Sequence, residues 1–315
     1  MEGYKLTASS SPHIRSDENV SKIMLDVLIA LVPAFIASIF YFGINSLILV
    51  VASVLSAVIT ELACQKIMKK PVTVNDFSAA VTGVLLAFNI PSTAPIWLPI
   101  IGSFFAIAIG KQVFGGLGNN FINPALAGRA FLMACWLPLM TDFKAPVGID
   151  AIATATPLAI LKGTAETGAQ LPSLMEMFMG RIPGSLGETS ALLLILGGLY
   201  LIIKKVISWK IPVAYIGTVA VISLITERGI DGMLYHLLAG GLMLGAFFMA
   251  TDYSSSPISS KGKIIYGIGA GMLTMLIRKL GGYPEGVSYS ILLMNVLAPL
   301  IDKYTGPKIF GGARK

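Results

Sequence analysis

The chain has 315 residues, of which 55% are hydrophobic and 12% are charged, and its mean hydropathy is +0.80. Soluble domains do not have this composition, so the sequence predicts an integral membrane protein in a lipid bilayer and excludes a soluble enzyme. The net charge of +7 comes from cations spread over short connections, so it does not indicate nucleic-acid binding.

The predicted elements are membrane helices. A helix needs about 20 apolar residues to span the hydrocarbon, and ten stretches are candidates. They cover residues 23–43, 44–64, 77–91, 97–113, 122–140, 189–203, 211–226, 233–250, 264–278 and 286–301. Several of these stretches are shorter than a full span, which predicts broken or tilted helices.

The longest connection divides the chain into two units of five spans. The predicted parts are a cytoplasmic tail (1–22), a first transmembrane unit (23–140), a connection (141–188), a second unit (189–305) and a second cytoplasmic tail (306–315). The first tail has charges and no apolar core, so it is not a secretory signal peptide. With this tail inside, most Lys and Arg residues fall on the cytoplasmic side, as the positive-inside rule requires, and the long connection lies on the outer face.

The two units contain similar segments. GVLLAFNIPSTAP (83–95) parallels GLMLGAFFMATDYSSSP (241–257), and IIGSFFAIAIGKQVFGG (100–116) parallels IIYGIGAGMLTMLIRKLGG (264–282). Because five spans is an odd number, the second unit enters the membrane from the opposite side. The sequence therefore predicts an inverted repeat, an arrangement common in transporters, whose binding sites lie near the membrane midplane at broken helices.

Ionisable groups within or near spans are candidate functional residues, because they are costly to insert. Arg129 lies in the fifth span, where it could hold a phosphate, the polar edge of a ring or a carboxylate; the alternative is a structural ion pair. Asp26, Glu61 and Asp252 lie near cytoplasmic helix ends, where solvation is the favoured interpretation and ion coordination the alternative. His236, at an outer helix end, is interpreted as interfacial.

Two further features have a structural and a functional interpretation. GGLGNNFINPALAGR, residues 115–129, places Asn119, Asn120 and Asn123 before a span, where amides can cap the helix or hydrogen-bond a heterocycle. GIGAG, residues 267–271, lies inside a span without a preceding strand, so it predicts close helix packing and not a dinucleotide site.

Other catalytic or metal chemistry is not indicated. Cys64 and Cys135 lack the C-x-x-C spacing of cluster and zinc sites, so the sequence predicts no disulfide and no protein-bound metal. The chain also lacks the motifs of hydrolases and phosphate-binding loops.

The outer connection contains DAIATATPLA, residues 150–159. This stretch resembles the flavinylation site of the RnfD and NqrB family of membrane redox proteins. In that family a pattern close to Asp-x-x-Ser/Thr-Gly-Ala-Thr, often followed by Pro-Leu, carries FMN esterified through its phosphate to the final threonine. The resemblance implies covalent FMN on Thr156, with Asp150, Ala155 and Pro157 in the same motif.

The match departs from the family pattern at two positions. Ala153 and Thr154 stand where the family often has Ser/Thr and Gly, which leaves Thr154 as a second hydroxyl. Lys144 or Lys162 could offset the charge of the phosphodiester, by their nearness in sequence. The small side chains of the stretch would leave the threonine open to a separate flavin transferase.

The resemblance covers nearly the whole chain. FGGLGNNFINPALAGRAFL, FFMATDYSSSP and YPEGVSYSILLMN are also similar to this family, and the short first tail suits RnfD better than the longer NqrB. It implies a urea-transporter-like fold and a component of the Rnf complex in the bacterial inner membrane. That complex passes electrons between ferredoxin and NAD, coupled to Na⁺ or H⁺ movement, and its other members are the Rnf proteins A, B, C, E and G.

The family often holds a second, non-covalent flavin, riboflavin, for which Asn120 and Arg129 are the candidate contacts. A different hypothesis remains open from the residues alone. An inverted-repeat solute transporter or channel without a redox role would have the same spans and the same lack of soluble catalytic motifs, so the threonine stretch alone separates the two.

Overall fold

A computed structural model describes residues 19–146, 155–164, 171–188, 190–227, 229–282 and 285–306 of the chain. Within these ranges the regular secondary structure is helical, with one isolated antiparallel bridge between Pro91 and Ser185. The all-α class that the sequence predicts is confirmed for this part of the chain.

Five main helices precede the long connection, close to the predicted positions. Their bounds are Val20–Phe42 (α1), Ile44–Ile67 (α2), Ser78–Phe88 (α3), Trp97–Ile107 (α4) and Pro124–Cys135 (α5). A 3₁₀ turn, Val74–Asp76, precedes α3, and a π-helical turn, Ala108–Gln112, continues α4. The side-chain oxygen of Asn123 accepts a hydrogen bond from the backbone N–H of Leu126 and caps α5, as one of the two interpretations of the asparagines predicts.

The connection contains two short helices where the sequence predicts only a loop. They are Pro157–Leu161 (α7) and Leu174–Met179 (α8), and another short helix, Leu137–Met140 (α6), ends the predicted fifth span. Ser173 and Glu176 form a capping box at the start of α8. The N–H of Gly187 then donates to the carbonyl of Phe88, 3.0 Å away, which docks the end of the connection onto the end of α3.

The second unit again begins with a long apolar helix. Its helices are Ala191–Ile203 (α9), Lys210–Glu227 (α10), Ile230–Leu238 (α11), Leu242–Leu244 (α12), Ser260–Leu280 (α13) and Val287–Thr305 (α14). A π-helical turn, Gly245–Met249, continues α12. The stretch predicted as the eighth span is therefore broken: α11 and the α12 segment meet at an angle of 65°.

Some of these helices qualify as membrane spans by length and composition alone. Among the described residues, α1, α2 and α10 are long and apolar enough to cross a bilayer, and the bent α11–α12 pair makes a fourth candidate. Four shorter helices, α3, α4 with its π turn, α5 and α9, are also apolar. The chain thus has several long apolar helices, and the count of ten complete spans stays a prediction.

The outer faces of the helices suit lipid and not water. Phe40 in α1 is 77% exposed, Ile59 in α2 is 62% exposed and Ile225 in α10 is 70% exposed. Side chains of this size on every long helix would form extended apolar patches in water. In a bilayer the same side chains contact acyl chains.

Glycines on α13 allow close packing against α10. A Cβ atom at Gly267 would lie 2.7 Å from the Cβ of Ala214, and one at Gly271 would lie 2.6 Å from the Cβ of Thr218. Both distances are shorter than carbon atoms tolerate, so only glycine lets the two backbones approach this closely. The packing role predicted for GIGAG is confirmed.

Candidate functional site

Thr156 is the N-cap of the short helix α7. Its backbone is extended, its side-chain oxygen accepts a hydrogen bond from the N–H of Ala159 at 3.3 Å, and Pro157 occupies the first helical position. The residue is 9% exposed, and Pro157 is buried beside it, whereas Ala155 is partly exposed. Asp150, Ala153 and Thr154 lie outside the described residues.

Packing and hydrogen bonds hold α7 in place. Leu158 belongs to a small buried apolar cluster with Met177, Ile182 and Ala239. Lys162, just after α7, donates a hydrogen bond to the carbonyl of Gly281 at the end of α13. The candidate threonine is therefore anchored to the second unit by the residues that follow it.

Thr156 lines a small cleft of about 280 Å³. The other lining residues come from α7, from the end of the connection and from two breaks between helices: Pro157, Leu158, Ile182, Pro183, Gly184, Glu188, Gly240 and Glu285. Two carboxylates thus share the cleft with the threonine.

Both carboxylates pair with Arg129. Arg129 Nη1 lies 2.8 Å from Glu188 Oε1 and 2.5 Å from Asn89 Oδ1, and Nη2 donates to Glu285. Four elements supply the groups, because Arg129 lies within α5, Asn89 follows α3, Glu188 precedes α9 and Glu285 precedes α14. A carboxylate partner was one of the three interpretations of Arg129, and the structural ion pair is the arrangement observed.

This cluster carries two acidic groups for one guanidinium. Burial, with Glu285 nearby, raises the pKa of Glu188, in the connection before α9, to about 7, although Arg129 opposes the shift. A carboxyl group with this pKa can gain or lose a proton near neutral pH. Glu188 and Glu285 were not predicted, because each lies in a connection between helices and nothing in the local sequence marks it as buried.

Asn120 lines a different and larger cavity, of about 720 Å³, among α1, α3, α5 and the π turn after α12. Its amide donates to the carbonyl of Ile122 at 3.1 Å and to Asp252 at 3.4 Å. Burial raises the pKa of Asp252, while hydrogen bonds from Ser255 and Asn120 lower it. Arg129 does not line this cavity, so the two candidate riboflavin contacts lie in different places.

The solvated interpretation of Glu61 is wrong. Glu61 and Lys111 are each 1% exposed, and Lys111 Nζ lies 2.8 and 2.9 Å from the two carboxylate oxygens and 2.6 Å from Ser78 Oγ. Lys111, near the end of the predicted fourth span, lies in the π turn that continues α4 and is buried there. Asp26 accepts a hydrogen bond from Tyr200, and His236 is buried within the protein near the end of α11, with its Nε2 3.1 Å from Glu227.

Comparison with known proteins identifies the family. A family model described as the NQR2, RnfD, RnfE family matches residues 7–311. The chain belongs to this family. The match covers both helical units and the connection that holds Thr156, so the resemblance seen in separate motifs extends along the chain.

Curated members of the NQR2, RnfD, RnfE family are similar over almost their whole length. The D component of the Na(+)-translocating ferredoxin:NAD(+) oxidoreductase complex of Acetobacterium woodii is 55% identical over 99% of this chain and 97% of its own. The proton-translocating counterpart of Clostridium ljungdahlii is 50% identical over 98% and 97%. The D component of the ion-translocating oxidoreductase complex of Escherichia fergusonii is 34% identical over 96% and 97%.

Proposed function

We propose that the chain is the D component of a membrane complex that transfers electrons between ferredoxin and NAD and couples this transfer to Na⁺ or H⁺ translocation. Family membership and the named functions of two relatives at 50% identity or above support this role. One of these relatives is named for Na⁺ and the other for protons, so similarity does not select the ion. The chain would act within a complex and not as an enzyme alone.

The carrier in this proposal is FMN, joined through its phosphate to Thr156. The hydrogen bond at Thr156 fits such an ester, because Oγ accepts from the N–H of Ala159 and the hydroxyl hydrogen is not used in the cap. The phosphorus atom can replace that hydrogen while the oxygen keeps its lone pairs. The bound flavin would supply one- and two-electron redox chemistry at this position.

The surroundings of Thr156 would keep the attachment residue of the flavin in a fixed position. Thr156 shares its small cleft with Glu188 and Glu285, whose carboxylates are held by Arg129. Glu188, whose pKa is raised to about 7, lies on its wall as a group that can exchange a proton near neutral pH. A tether prevents loss of the cofactor, which matters most where the pocket encloses it least.

The proposal includes riboflavin in the larger cavity. Asn120 and Asp252 provide amide and carboxyl groups on a wall that also carries many apolar side chains, the combination usual for small-molecule pockets. Arg129 is a weaker candidate for a contact, since its guanidinium is engaged by two carboxylates and Asn89.

We also infer that the two helical units form an inverted repeat. Equivalent helices pair: α1 packs on α9, α5 packs on α14, and the α2–α4 contact of the first unit corresponds to the α10–α13 contact of the second. This pattern is expected for two units related by a pseudo-two-fold axis. The same proposal places both termini in the cytoplasm and Thr156 on the outer face.

Ultraviolet fluorescence of the denatured chain in a gel tests the flavin proposal. Coexpression with a flavin transferase should give a fluorescent band that survives detergent and heat, because the flavin is covalently bound. Thr156→Val should abolish the band, whereas the matched variant Thr154→Val should keep it. Loss of the band in Thr154→Val alone would show that the flavin is attached to Thr154. Absence of the band in all samples would favour the solute transporter hypothesis.

A further inference from the structure

A basic pocket lies next to the Thr156 cleft and shares Leu158 with it. Its volume is about 540 Å³, and it lies between α7 and the ends of α11 and α13. The lining residues are Leu158, Leu161, Lys162, His236, Arg278 and Lys279. Most of the polar groups on this wall are cationic, which distinguishes the pocket from the acidic Thr156 cleft.

Arg278 is the most buried cation of this basic pocket, at 3% exposed. Its Nη1 donates to the carbonyl of His236 at 2.6 Å and its Nη2 to the carbonyl of Ala239 at 3.1 Å, so the guanidinium caps the end of α11. Among the described residues, no carboxylate forms an ion pair with it. Its Nε and the Nδ1 of His236 are buried without a hydrogen-bond partner.

Among the described residues that line or contact the basic pocket, Arg278 is the cation whose charge no carboxylate pairs with. Lys279 and His236 both contact the same carboxylate, Glu227. The carboxylates of the adjoining cleft, Glu188 and Glu285, pair with Arg129. An anion in the basic pocket would offset the positive charge of Arg278 and could accept the unused hydrogen bonds.

The position of this pocket indicates the type of anion. Arg278 and Lys279 lie in the last turn of α13, which the sequence predicts to be a membrane span, so they lie where that span would meet the headgroup region. Basic pockets between membrane helices on the cytoplasmic side bind acidic phospholipid headgroups, and the same pairing of charges applies on the outer face. The partly exposed side chain of Leu161 can contact the start of an acyl chain. We propose that the basic pocket binds the phosphate group of an anionic phospholipid. This proposal does not depend on the flavin at Thr156.

Native mass spectrometry of the full chain in neutral detergent tests this assignment, with phosphatidylglycerol and phosphatidylcholine of identical acyl chains as probes. The wild-type chain should retain phosphatidylglycerol in preference to phosphatidylcholine. The double variant Lys162→Gln/Lys279→Gln should weaken this retention roughly 25-fold, about a factor of five for each lysine. Lys261→Gln, at the other end of α13, should leave retention unchanged.

Arg278 is unchanged in the double variant and in Lys261→Gln. Its hydrogen bonds to α11 make it important for folding, so replacing it would not test binding alone. Equal retention of the two lipids, or unchanged retention in the double variant, would overturn the proposal. A second measurement distinguishes a lipid headgroup from free phosphate. It follows the thermal stability of the delipidated chain as inorganic phosphate is added. Stabilisation by phosphate without retention of phosphatidylglycerol would overturn the assignment to a lipid.

Discussion

Replacing Lys111 with methionine tests whether its buried ion pair holds α4 against α2. Lys111 Nζ has three acceptors: the two Glu61 oxygens at 2.8 and 2.9 Å, and Ser78 Oγ at 2.6 Å. The two charged side chains are 2% and 1% exposed, so water does not solvate either group. Methionine keeps most of the length of the lysine stem but removes the charge and all three hydrogen bonds.

The expected loss follows from the unpaired carboxylate. Removing one partner of a buried ion pair typically costs about 3–5 kcal/mol, because the other charge stays buried without compensation. Gln65 and Gln112 still donate to Glu61, but neutral amides do not replace the ammonium group. In Glu61→Gln/Lys111→Met no charge is left, so the double variant should lose less than about 2 kcal/mol.

Unfolding in mixed micelles with increasing sodium dodecyl sulfate, followed by the fluorescence of the three tryptophans, measures these free energies. Lys66→Met is the matched control, since Lys66 is exposed in the last turn of α2 and its loss should change stability by less than about 0.5 kcal/mol. A Lys111→Met variant as stable as this control would refute the reasoning. A double variant less stable than Lys111→Met would also refute it.

Three further changes have defined outcomes. A side chain at Gly187 would overlap the Phe88 ring, so Gly187→Val should cost about 1–3 kcal/mol in the same titration, and unchanged stability would contradict the close approach. Ser173→Ala removes the capping box of α8 and should cost about 1 kcal/mol, seen as faster amide exchange in that helix alone. Because the pKa of Glu188 is raised to about 7, the folded state binds the extra proton, so stability should fall as pH rises from 4.5 through 7. Glu188→Gln should remove this slope, and an unchanged slope would assign it to another group.

Local features of the sequence were sufficient to predict most of the fold. Apolar runs mark the helix positions, Asn123 followed by Pro124 marks the start of α5, and the glycines of 267–271 mark a close helix contact. Each of these signals depends on residues within one helix. The break between α11 and α12 was less predictable, because the apolar run continues across it.

The buried ion pairs could not be predicted from the sequence. Lys111 lies 50 residues from Glu61, and Arg129 lies 59 residues from Glu188 and 156 from Glu285. A charged residue near a helix end is usually solvated, so only the packing of several helices shows that these side chains are buried. The candidate threonine rests on a contiguous motif and stays a prediction, whereas nothing in the local sequence indicates its neighbours in the cleft.

Mass spectrometry of the peptide spanning residues 145–162 tests the central claim most directly. The chain is purified after coexpression with a flavin transferase, and the fragment ions locate any added mass. The account predicts one FMN joined through its phosphate to Thr156. An unmodified peptide, or FMN located on Thr154, would contradict it.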